Sequence, residues 1–168
     1  GYDHMVFLLA LIAPIAIKEW KKILILITAF TIGHSISLAL STLNLVTLNA
    51  EFIELLIPIT ILITSLINVS VHSYLKILNY STTIFFGFIH GMGFSGYLKS
   101  LLGYEQNLFT PILSFNLGLE FGQILFTGII IILVSITTKF LYIKHKSINL
   151  ALSAIAGVVS VFLIIERI

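Results

Sequence analysis

Apolar residues run through this chain in long, nearly unbroken blocks, and the polar positions collect in the short stretches between them. The blocks predict helices at about 3–17, 22–43, 50–70, 81–102, 109–138 and 148–165. Most of them reach the length of about 20 residues that carries a helix across a bilayer. The breaks read "KEWKK", "NLVTLN", "VHSYLKILNY", "LGYEQN" and "KFLYIKHKS". Within the blocks apolar residues follow one another instead of alternating with polar ones, which excludes a transmembrane barrel. The reading is an all-α, polytopic transmembrane helix bundle of about six spans, with residues 1–168 forming a single helical domain. The fifth block exceeds what a bilayer needs and has to tilt or project.

Composition sharpens this. Of 168 residues, 58% are hydrophobic and 10% charged, where soluble domains carry about 25% charged residues. There are no cysteines, so neither disulfides nor thiolate ligands are available. A net charge of +2 gives no reason to expect nucleic acid. No signal-peptide pattern opens the chain. It begins on Gly1 without a methionine, so processing or a segment upstream is expected.

Lysines set the expected orientation. Lys18, Lys21, Lys22, Lys76, Lys139, Lys144 and Lys146 fall in the first, third and fifth loops, against Lys99 and Arg167 on the other side. Basic loops are retained in the cytoplasm, so the odd loops are predicted cytoplasmic and both termini of this chain outer.

Ionisable side chains inside lipid cost several kcal/mol unless paired or hydrated, so each is a functional hypothesis. Asp3 and His4 open the first block, His34 lies in the second, His90 in the fourth and Glu120 in the fifth. With a rise of about 1.5 Å per residue, His34 lies roughly 18 Å in from the lysine-rich side and Glu120 roughly 15 Å in from the other. All five therefore fall in the outer half or near the middle. Asn116, Glu120, Gln123 and Thr127 recur at i, i+4, i+7 and i+11, one helix face. Gly118 and Gly122 predict close approach of another helix, as do Gly87, Gly91, Gly93 and Gly96 around His90. Taken singly, His34 and His90 are equally well explained as packing residues bonded across helices. Glu120 is harder to explain that way, because no lysine or arginine lies within a block to pair with it. Thr60, Thr64 and Asn68 suggest hydrogen bonds between helices, and Pro58 a kink whose freed carbonyl finds a local partner. His72 and His145 read as solvated loop residues beside lysines, and Glu51 and Glu54 as interfacial.

Several imidazoles and carboxylates without thiols form a borderline donor set, suited to Zn²⁺, Ni²⁺, Co²⁺ or Cu²⁺ and not to Mg²⁺ or Ca²⁺. A divalent ion would also supply the counter-charge Glu120 needs. Ser35, Asn116 and Gln123 are candidates to hold the ligands from behind. No mid-span lysine suits a retinal Schiff base, no arginine ladder a voltage sensor, and no histidine pairs at both leaflets a bis-haem site.

The stretches "GYDHMVFLLAL", "FTIGHSISLAL", "FGFIHGMGFSGYL" and "FNLGLEFGQ" occur in an order that resembles the HupE/UreJ family of bacterial membrane proteins, in its broad and little-characterised branch. The resemblance covers most of the chain. It implies a nickel or cobalt permease of the bacterial inner membrane, with Asp3, His4, His34, His90 and Glu120 as the metal-handling positions and the lipid bilayer as surroundings. Two alternatives stand beside it. One is an intramembrane zinc-dependent hydrolase, by analogy with alkaline ceramidases, in which Ser35 would be catalytic. The other is an accessory subunit with a structural metal, in a membrane complex or a homo-oligomer.

Overall fold

The computed structural model describes residues 2–70, 79–102 and 109–168. His72 and Lys76 lie outside those residues. Among the described residues there are six α-helices and no strand: α1 (Tyr2–Ile12), α2 (Trp20–Thr42), α3 (Ala50–Ser70), α4 (Tyr80–Leu102), α5 (Phe109–Phe140) and α6 (His145–Glu166). A single 3-10 turn, Ile17–Glu19, leads into α2.

Helices α2 to α6 start and end within three residues of the expected blocks. The first is shorter, because Pro14 has no amide hydrogen to continue α1. The carbonyl four residues before it, that of Ala10, therefore loses its helical donor. Asn68 supplies the replacement: its Nδ2 donates to the Ala10 carbonyl at 2.7 Å and to Ser153 Oγ at 3.1 Å, tying α1 to α3 and α6. Pro58, inside α3, frees the Glu54 carbonyl in the same way. The local partner expected for it is not what the structure shows: Arg167 Nη1, from the far end of the chain, donates to that oxygen. Buried backbone groups left without partners are costly in lipid. Each interruption is thus compensated by a distant side chain.

Helices α2 and α4 share the most extensive interface, and α3 and α6 the next. Three glycines permit the α2–α4 crossing. A Cβ at Gly33 would run into the Ile84 carbonyl, one at Gly87 into the Phe30 carbonyl, and one at Gly91 into the His34 carbonyl. Backbone touches backbone, as small residues allow in membrane bundles. The short α1 packs against α3, α5 and α6. Its buried Phe7, Leu8 and Leu11 join Ile27, Phe30, Ile61 and Phe86 in one apolar core.

Among the described residues, four segments are long and apolar enough to cross a membrane: Ile17–Thr42, Ala50–Ser70, Phe109–Phe140 and His145–Glu166. Helix α4 matches them in length at 23 residues, but histidine, glycine and hydroxyl side chains dilute its hydrophobicity. The exterior is greasy: Phe121, Leu125, Ile132 and Phe162 are all exposed. In water such a surface would aggregate, whereas in a bilayer it is solvated by acyl chains. The fold is that of an all-α transmembrane bundle.

The expected packing role of Gly96 on α4 and of Gly118 and Gly122 on α5 is not met: among the described residues nothing comes within 4 Å of a Cβ at any of the three, and all three are exposed.

Candidate functional site: a buried histidine cluster

Close contact between α2 and α4 carries His34 and His90 into the interior, and α1 inserts His4 beside both. All three rings are buried. The His4 ring lies 5.2 Å, centroid to centroid, from His34 and 4.9 Å from His90, edge-on to each. Phe94 and Phe30 flank His4 at 5.5 and 5.9 Å. Below, Phe7 and Phe30 stack at 4.9 Å and seal the centre of the bundle towards the lysine-rich end.

Hydrogen bonds fix which ring nitrogens are free. The Asp3 carboxylate accepts from the His4 backbone amide at 3.0 Å, and His4 Nδ1 lies 3.1 Å from the same oxygen. A carboxylate only accepts, so Nδ1 carries the hydrogen and the lone pair of His4 is on Nε2. Thr60 uses its single hydroxyl hydrogen on the Ile57 carbonyl at 2.7 Å. Its oxygen must then accept from His90 Nε2, 2.9 Å away, leaving the His90 lone pair on Nδ1. His4 Nε2, His90 Nδ1 and both nitrogens of His34 are buried without a partner. Native proteins seldom leave such groups unsatisfied unless water or an ion meets them. With only the Asn116 amide beside His34, these nitrogens in one cluster point to a ligand.

The donor chemistry suits a borderline divalent cation, since neutral imidazole with carboxylate support is a standard first-row ligand set. In the present arrangement the rings meet edge to face, and no group of three His, Asp or Glu side chains among the described residues is poised to hold a metal.

A cavity of about 460 Å³ reaches the cluster from the end where α1 begins and α6 ends, lined by Tyr2, Asp3, His4, Glu54, Phe94, Tyr97 and Arg167 among others. Arg167 Nη2 lies 3.7 Å from Asp3 Oδ2, so this cation shares the carboxylate that orients His4.

The remaining candidates are placed elsewhere. Glu120 is half-buried at the rim between α2 and α5, with Thr28 Oγ1 3.4 Å from its carboxylate. Ser35 opens onto an apolar groove with Ala39, Leu43, Phe109 and Asn116. Gln123 Oε1 is 3.0 Å from Thr31 Oγ1. Of the supporting groups named from sequence, Asn116 alone approaches an imidazole, that of His34. Sequence reasoning passed over Arg167 and the specific role of Thr60. Pro58 marked the Glu54 carbonyl as needing a donor, and Thr60 lies one turn from Thr64 on the polar face of α3, but neither signal named its partner.

Fold and site together define an intramembrane helical bundle built around a buried imidazole cluster that opens to one end. The profile described as HupE / UreJ protein matches residues 1–167, and the chain belongs to that family of membrane-associated proteins related to nickel and cobalt handling. No curated protein and no solved structure matches the chain.

Proposed function

We propose that this protein is a permease for a divalent transition cation of the nickel or cobalt type, with His4, His34 and His90 as its binding groups and Asp3 as the carboxylate that orients them. The observation that carries the reading is the set of four buried ring nitrogens on three different helices, with only the Asn116 amide beside His34 to meet them. The cation is cargo. It enters the cavity beside Tyr2, Glu54 and Tyr97, meets the carboxylate shared by Arg167 and His4, and exchanges water for imidazole nitrogen. Ring nitrogens already turned to the required tautomers reduce the reorganisation on binding. Asp3 and Thr60 hold two of those tautomers.

The lysine-rich loops orient the bundle with the cavity on the outer face of the bacterial inner membrane. The family's association with nickel and cobalt favours those ions over zinc. A hydrolase would need its nucleophile at the cluster, and Ser35 on the α2–α5 groove gives that alternative less support. An accessory role in a larger assembly would use the uncovered face of α5.

Calorimetric titration of NiCl₂ into detergent-solubilised protein, paired with nickel uptake into proteoliposomes, tests the proposal. Saturable binding and uptake are expected, both lost in His90→Ala and His4→Ala. Binding that survives both substitutions would remove the cluster from the mechanism.

A further inference from the structure

Among the described residues, Phe7, Phe30 and Phe86 pack into an apolar core that lies straight below the histidine cluster. A polar line runs along α5. That helix is largely exposed, yet Asn116, Gln123 and Thr127 are buried, and α5 packs chiefly against α2. Their spacing of i, i+7 and i+11 forms one narrow face. At about 1.5 Å per residue the line from 116 to 127 covers roughly 16 Å towards the lysine-rich end.

Its polar atoms are not satisfied. Asn116 Nδ2 donates to the Ile112 carbonyl at 2.9 Å and the rest of its amide faces His34, while Gln123 Nε2 and Thr127 Oγ1 are buried without a partner. The Gln123 amide meets Thr31 through one of its two atoms, so whichever way round it lies, the other is left over. Helix packing alone would favour apolar side chains or matched pairs at these depths. Unmatched amide and hydroxyl groups in a row call for water or an ion to meet them. Asn116 adjoins His34 at the upper end, and Glu120 with Thr28 flanks the middle.

We propose that the α2–α5 seam is a hydrated passage that carries the cation from His34 to the lysine-rich end, with Glu120 as the carboxylate it meets in transit. This rests on the permease reading and adds a second half to the route. It also gives Glu120 a task apart from the histidines.

The chain lacks cysteine, so single cysteines can be placed without background. Gln123→Cys and Thr127→Cys test the seam, and Leu125→Cys and Ile129→Cys, exposed on the same stretch of α5, serve as lipid-facing controls. A membrane-impermeant methanethiosulfonate is applied from the lysine-rich side of oriented vesicles. The seam positions are expected to react at least tenfold faster than the controls, and NiCl₂ is expected to slow them. Reaction no faster than the controls overturns the passage. Glu120→Gln supplies the second readout: nickel uptake should fall severalfold while calorimetric nickel binding at the cluster stays at the wild-type level. Unchanged uptake in Glu120→Gln overturns its transit role. If wild-type protein binds nickel but the seam is unreactive, the passage fails and the permease reading stands. If the seam reacts but wild-type protein neither binds nor moves nickel, the permease reading fails and the cation route falls with it.

Discussion

Asn68 offers the sharpest test of how this bundle is held together. Its amide donates to the Ala10 carbonyl, which lacks a helical donor because residue 14 is proline, and to Ser153 Oγ. Asn68→Ala removes both bonds and leaves a buried carbonyl unsatisfied. A hydrogen bond between membrane helices contributes about 0.6 kcal/mol on average and up to about 1.7. An orphaned buried acceptor costs about 1–3 kcal/mol more. The substitution is therefore expected to destabilise by about 2–3 kcal/mol. Pro14→Ala restores an amide four residues beyond Ala10, so that α1 supplies the donor itself. In that background Asn68→Ala should cost at least about 1 kcal/mol less than in wild type, the Ser153 bond being lost in either case. Reversible unfolding in mixed detergent–SDS micelles, followed by far-ultraviolet circular dichroism, measures all four corners of the cycle. Additivity within about 0.5 kcal/mol would show that Asn68 does not act through the Ala10 carbonyl.

Thr60→Val and Asp3→Asn remove the groups that fix the His90 and His4 tautomers, and each should weaken calorimetric nickel binding by about 10–100-fold without unfolding the protein; wild-type affinity in both would refute the tautomer assignment. Gly91→Val drives a side chain into the His34 carbonyl and Ser37 Oγ, so it should separate α2 from α4 and abolish nickel binding, with a loss of thermal stability visible by circular dichroism. Gly118→Leu adds a side chain where this chain places nothing within 4 Å, and should change stability by less than about 0.5 kcal/mol. A larger effect, or a shift in oligomeric state on size exclusion, would reveal a partner on that face.

The blocks of apolar residues determined by themselves that this is a membrane bundle and where five of its helices begin and end. Those properties depend on length, hydropathy and turn residues within a few positions of each boundary. Pro58 marked, from sequence, a carbonyl that would need another donor, whereas the stop that Pro14 imposes on α1 was not read there. The histidines were legible as candidates for the same reason: an imidazole in a greasy helix is conspicuous wherever it lies.

Who meets whom was decided only by the tertiary structure. The Arg167 bond to the Glu54 carbonyl joins positions 113 residues apart, and no local pattern specifies such a pairing. Glu120 shows the limit most plainly. On a helix turning about 100° per residue it lies only about 40° from Asn116, so sequence spacing places both on one face. The backbone contact at Gly33, Gly87 and Gly91 sets where α2 stands, and α5 then packs on it with Asn116, Gln123 and Thr127 turned inward and Glu120 at the rim. A rotation of that size does not alter the hydrophobic pattern, yet it separates the carboxylate from the imidazoles. Periodicity fixes a face to within a broad arc, and only the packing of one helix on another fixes which edge of that arc is buried.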